Sequence, residues 1–204
     1  MPDAGATPAA DSDEARATAS AVIDDVGSDD ALSPAREQAL AALRQVFEEA
    51  GLEYSAASPT SLMVNLPGEK KLQTPCRFDV ATHAMGVHAF VCRRPDENFV
   101  GVYRWMLERN MKMYAFAFAL DGVGDIYLDA KLTLEAATPQ EIDRLLGAVL
   151  EYADGSFNTL LELGFASSIR KEWEWRVSRG EPTRNLEAFR GPLGLDQLGT
   201  PGAE

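Results

Sequence analysis

The sequence predicts an α+β fold: a five-stranded antiparallel sheet with helices packed on one face, in the order α-β-β-β-α-β-β-α-α. Three observations lead there. Two alternating runs flank the reversal Asp121-Gly122-Val123-Gly124, with Tyr114, Phe116, Phe118 and Leu120 on one side and Ile126, Leu128, Ala130, Leu132 and Leu134 on the other. Further extended runs cluster between residues 54 and 92. Helical stripes with recognisable ends bracket both groups.

The first helix follows from its ends. Ser33 suits the N-cap and Pro34 the first helical position. Leu40, Leu43, Phe47 and Ala50 form one stripe, and Gly51 stops the helix where a positive φ is needed. A strand follows over residues 60–66, possible from Leu52 and Tyr54, with Leu62, Val64 and Leu66 on one face. Pro67-Gly68 turns the chain. Residues 72–83 form the next extended run, with Cys76, Phe78 and Val80 sharing a face and Pro75 tolerated at an edge or bulge. Val87, Ala89 and Val91 alternate along the third strand.

Asp96 reads as the N-cap of the second helix, whose apolar face is Phe99, Val102, Tyr103, Met106 and Leu107. Asn110 suits its end because Asn tolerates the left-handed conformation. The strand over 113–120 carries aromatics on one face and Met113, Ala115, Ala117 and Ala119 on the other. Apolar residues on both faces predict burial on both sides and a dimer or helix contact there. Thr138, Pro139 and Glu141 form a capping box for the third helix, which Asp154-Gly155-Ser156 is expected to kink or break. A last helix near 167–179 aligns Ile169, Trp173 and Val177, leaves Trp175 off the stripe, and ends at Gly180.

Four segments result: a disordered acidic tail over 1–32, a domain over 33–165, a C-terminal helix over 166–180 packed on it, and a flexible Pro/Gly-rich tail over 181–204 in which Leu186 and Phe189 are able to dock. The formal charge is −13, of which −7 falls within the first 33 residues. Acidic surfaces repel nucleic acid and anionic membranes, so neither is an expected partner. No apolar run reaches the roughly 20 residues of a membrane span. The N-terminus lacks a secretory pattern, and two cysteines make no disulfide framework. A cytoplasmic location is therefore expected.

No catalytic, cofactor or metal motif is present. Cys76, His83, His88 and Cys92 lack the paired spacing of zinc ligands, and strand alternation sends Cys76 and His83 to opposite faces. Asp121 to Asp125 lacks the oxygen ladder of a calcium loop. There is no phosphate-binding loop and no nucleophile elbow. Catalytic residues, cofactors and metals are all expected to be none.

Several stretches carry a resemblance: Cys92-Arg93-Arg94-Pro95-Asp96-Glu97-Asn98, Val102-Tyr103-Arg104-Trp105, Leu120 with Asp125-Ile126-Tyr127-Leu128, the run from Phe157 to Leu163, and Trp173-Glu174-Trp175-Arg176. Over about residues 33–180 the chain resembles the YbjN-domain family, the bacterial sensory transduction regulators, in its actinobacterial-type branch. The resemblance implies a fold similar to type III secretion chaperones and a tendency to form homodimers. It implies no catalytic residues.

The expected function is a non-catalytic protein-binding or regulatory module of chaperone-like type, with an unidentified protein partner and a homodimeric state. Two alternatives stand beside it: a sensor of a small anionic ligand, and an unrecognised enzyme with Asp125 or Glu162 near a histidine. The candidate partner or anion contacts are Arg93, Arg94, Arg104, Arg170, Trp175, Arg176 and Arg179. The arginines suit anions if they converge. Trp175 suits an interface.

Overall fold

The structure is a computed structural model that describes residues 32–198. The expected acidic tail, up to Ala31, lies outside the described residues. The elements are α1 (Pro34–Glu49), β1 (Tyr54–Ser58), β2 (Ser61–Pro67), β3 (Gln73–Val80), β4 (Ala84–Cys92), α2 (Phe99–Asn110), β5 (Ala117–Leu120), β6 (Ile126–Thr133), α3 (Pro139–Gly164) and α4 (Ala166–Arg179). Short 3-10 turns follow at Leu134–Ala136, Arg184–Phe189 and Leu195–Leu198.

The class is α+β, but the sheet has six strands and not five, in the order β1-β2-β3-β4-β6-β5 with every pairing antiparallel. The extra strand is β1. Residues near Tyr54, expected to begin the following strand, pair with it instead, Tyr54 opposite Val64 and Ala56 opposite Leu62. Four of the five β1 residues are exposed, so its sequence carries little alternation to read.

Alternation holds for the other long strands. Leu62, Val64 and Leu66, Cys76, Phe78 and Val80, Met85, Val87, Ala89 and Val91, and Ile126, Leu128 and Ala130 are buried on one face. Register lines up Val64, Cys76, Ala89, Leu128 and Phe118 across five strands. Helices α1 and α3 cover this inner face. Leu40, Leu43 and Phe47 of α1 and Ile142, Leu145 and Val149 of α3 complete the core. Phe47 meets Phe78 edge to face at 5.4 Å.

The strand expected over 113–120 is reduced to four residues at the sheet edge. Ala115 adopts a left-handed conformation (φ 60°), and the Tyr114 amide donates to the Tyr152 hydroxyl rather than to a strand. Within β5 only Phe118 is buried, so the predicted burial on both faces is not found. Of the alanines, Ala115 and Ala117 are exposed and Ala119 is half-buried.

Helix ends follow their caps in part. The Ser33 hydroxyl accepts from the Arg36 amide, and Gly51 takes φ 65°. Thr138 accepts from the Glu141 amide at 3.3 Å, but the Glu141 side chain turns to Tyr114 and Arg144 and leaves the reciprocal half of the box unmade. Helix α3 runs unbroken for 26 residues. Asp154 reaches out to the β2–β3 loop, so it does not compete for the helix's own amides. Asp96 is not the cap of α2. Asn98 holds that position at φ 50°, and α2 starts at Phe99. Asn110 ends α2 without adopting the left-handed conformation, and its side-chain amide pairs with the Phe118 backbone. The C-terminal segment up to Leu198 is folded onto the domain, with Leu186, Phe189 and Leu195 buried.

Candidate functional site

The outer face of the sheet is polar where the inner face is apolar. Register sets Arg77 opposite His88 and His88 opposite Asp129. Three strands therefore deliver one charged row. The His88 Nδ1 lies 2.5 Å from Asp129, and its Nε2 lies 3.6 Å from Asp79. Asp79 also accepts from the Ser61 hydroxyl at 2.6 Å and pairs with Arg77 at 2.8 Å, the latter without hydrogen-bond alignment. The serine hydroxyl is thus engaged by Asp79, not by the imidazole.

Two residues along from that row, Phe90 and Tyr127 face each other across β4 and β6 at 5.5 Å, edge to face. Lys71, from the β2–β3 loop, lies over the Phe90 ring at 5.2 Å. Its ammonium donates to the Phe90 carbonyl at 2.8 Å and the Gln73 carbonyl at 2.9 Å. The residue is only 7% exposed, and burial brings its pKa down to about 8. The loop is fixed from α3, where Asp154 accepts from the amides of Lys70 and Lys71. Gly68 is required there, because a Cβ would stand 2.4 Å from the Lys71 carbonyl oxygen.

These groups line a groove of about 1290 Å³. One wall is the outer sheet face. The other is Phe157 and Leu161 of α3, Phe165, Ile169 of α4 and Leu186. Burial also pushes the Cys92 thiol at its base up to about 12, so it stays protonated at neutral pH.

The second wall is held by the loop before α2. The amides of Asp96 and Glu97 donate to the Gly164 carbonyl at 2.9 and 3.1 Å, and the Asn98 side chain donates to the Leu163 carbonyl. Asp96 accepts from the Ser168 hydroxyl. Glu97 accepts from both the amide and the hydroxyl of Ser167, which holds its carboxyl below the usual carboxylate range. Helix α4 has no acidic residue in its first turn, and its N-cap position, Phe165, makes no side-chain bond. Glu97 supplies that cap from another part of the chain.

Most of the arginines singled out in the sequence have individual partners. Arg93 is exposed at the groove. The Arg94 guanidinium lies 5.4 Å from the Phe99 ring, and its amide donates to Asp125. Arg104 pairs with Glu108. Arg170 donates to the Leu193 carbonyl at 3.3 Å, and Arg176 is shared between Glu172 and the Pro182 carbonyl. Arg179 stacks over Trp175 at 5.0 Å. Trp175 is 42% exposed beside a shallow depression shared with Lys171, Arg176 and Glu181. Sequence reading missed Lys71 and the His88 row. The polar alternation Arg77/Asp79 and Asp129/Lys131 signalled a wet face, but only the β4–β6 pairing brings those strands to His88.

A second surface lies on α2. Val102 and Met106 face the core, while Val100, Leu107 and Met111 are 82%, 67% and 89% exposed. With Arg104 they recur at steps of four, three and four, which is one face of a helix. Nothing in the described chain covers this stripe.

The described residues thus form an α+β domain with a polar outer sheet face and an uncovered helix stripe. Comparison with known proteins gives the family. Residues 39–162 match the YbjN family, described as "Putative bacterial sensory transduction regulator", and the chain belongs to that family. "Uncharacterized protein Rv0487" of Mycobacterium tuberculosis is 49% identical over 152 residues, covering 72% of this chain and 83% of that protein. "Uncharacterized protein ML2442" of Mycobacterium leprae is 54% identical over 128 residues, covering 63% of this chain and 70% of its own length. No helix among the described residues is long and apolar enough to cross a membrane.

Proposed function

We propose that this chain is a non-catalytic regulatory module that works through protein contact, with a second copy of itself on the α2 stripe. The regulatory description of the family supports the class. The observation that carries the contact is the uncovered stripe Val100, Leu107 and Met111. Exposed apolar side chains at helical spacing suit a facing helix, as ridges fit grooves. Arg104 lies on the stripe and pairs with Glu108 beside it. An antiparallel pairing about a two-fold axis sets each arginine beside the other copy's glutamate, which makes the surface self-complementary.

The sequence pointed to the strand around Phe116 for this contact. Phe116 is buried in the monomer, so its replacement by Asp tests the core and not an interface. The stripe is tested by sedimentation velocity on the full chain. The wild type is expected to run at twice the chain mass, and Leu107→Glu with Met111→Glu at the single mass with its circular dichroism unchanged. A wild type of single mass throughout the micromolar range refutes the self-contact. A double variant that stays dimeric moves the contact to another surface.

A further inference from the structure

We propose that the groove between the outer sheet face and α4 is a binding site for a small amphipathic carboxylate, with the Lys71 ammonium as its counter-ion. Lys71 carries a charge that nothing in the described chain balances. Lys71 is buried, and its two acceptors are neutral carbonyls, which use two of its three donors. No carboxylate among the described residues pairs with it. A buried cation without a counter-ion is costly, and an anion brought by a ligand relieves that cost.

The carboxylates around the groove are already engaged. Asp129 holds His88, Asp96 holds the Ser168 hydroxyl, Asp121 holds the amides of Val123 and Asp125, and Glu172 holds Arg176. None is directed at the ammonium. Cys92 and Asp154 lie near Lys71, and Asp125 lies near Cys92. Cys92 on β4 stays a neutral thiol, Asp125 in the β5–β6 turn binds the Arg94 amide, and Asp154 on α3 binds backbone amides. Exposed Arg93 adds positive charge at the same groove.

The body of the ligand follows from the walls. Phe90, Tyr127, Phe157, Leu161 and Ile169 offer aromatic and aliphatic surface, and about 1290 Å³ leaves room for a small molecule. A chain or ring carrying one carboxylate matches a single buried cation beside an apolar channel. A multiply charged phosphate matches it poorly. This site is separate from the α2 stripe and stands or falls independently of it.

The probe is decanoate, with decanol as its uncharged counterpart, measured on the full chain by isothermal titration calorimetry. Decanoate is expected to bind at least ten-fold tighter than decanol at pH 7. Its affinity is expected to fall about ten-fold between pH 7 and pH 9, because the ammonium loses its proton through about pH 8 while the ligand stays ionised. This reading uses the wild type alone, so it does not depend on a variant folding. Lys71→Met is expected to bind the two probes equally. No binding of decanoate up to its solubility overturns the proposal. So does equal binding of decanol by the wild type, or an affinity that does not change between pH 7 and pH 9.

Discussion

Replacing Gly164 by Ala tests whether the loop before α2 fixes the α3–α4 junction and with it one wall of the groove. Gly164 is the last residue of α3, and its carbonyl accepts from Asp96 and Glu97. A Cβ there would stand 2.9 Å from Pro95 Cβ and 3.4 Å from Val102 Cγ2. Real side chains do not approach a rigid ring that closely, so the loop must shift. Overpacking of this kind costs about 1–3 kcal/mol. Against it stands the helix propensity of Ala over Gly, at most about 1 kcal/mol and smaller at a terminal residue. The net expectation is a loss of about 1–2 kcal/mol. Gly147, also in α3, is the control, since nothing lies within 4 Å of its added Cβ. Gly147→Ala is expected to gain about 0.5–1 kcal/mol. Urea and thermal unfolding monitored by circular dichroism separate the two, and at this chain length a difference of about 1.5–3 kcal/mol should part their Tm values by about 3–12 °C. In a Pro95→Gly background, which removes the contacting Cβ, the Gly164→Ala loss should largely disappear. If Gly164→Ala is as stable as Gly147→Ala, the contact with Pro95 does not hold the junction.

Two further outcomes follow from the same structure. Phe78→Ala removes a fully buried ring that meets Phe47 edge to face, and is expected to cost about 3–5 kcal/mol in denaturant unfolding. Glu97 has a lowered carboxyl pKa when folded, so its stabilising contribution is present above the ordinary value of 4.5 and is lost as pH falls through the lowered one. Glu97→Gln should therefore flatten the acid limb of the unfolding midpoint against pH, and an unchanged limb would show that the Ser167 cap contributes nothing.

The sequence by itself determined the helices and most of the sheet. Ser33-Pro34, Thr138-Pro139, Gly51 and Gly180 mark ends through local backbone chemistry, and Leu62 to Leu66 and Ile126 to Ala130 announce their buried face by period two. It also determined the family. Tertiary structure decided what depends on partners distant in the chain. Strand β1 has no alternation of its own and exists because β2 pairs with it. The run before Ala117 alternates as a strand should, yet the left-handed Ala115 and the Tyr152 hydroxyl take it out of the sheet. Asp96 and Glu97 look like a helix start but serve α4, about 70 positions later, a distance no local pattern encodes. Lys71 reads as one more surface lysine. It becomes a buried cation only because Asp154 fixes its loop and the Gln73 and Phe90 carbonyls receive its ammonium. Local propensity records short-range sterics and hydrogen bonds, whereas a groove is made by surfaces that meet only when the chain is folded.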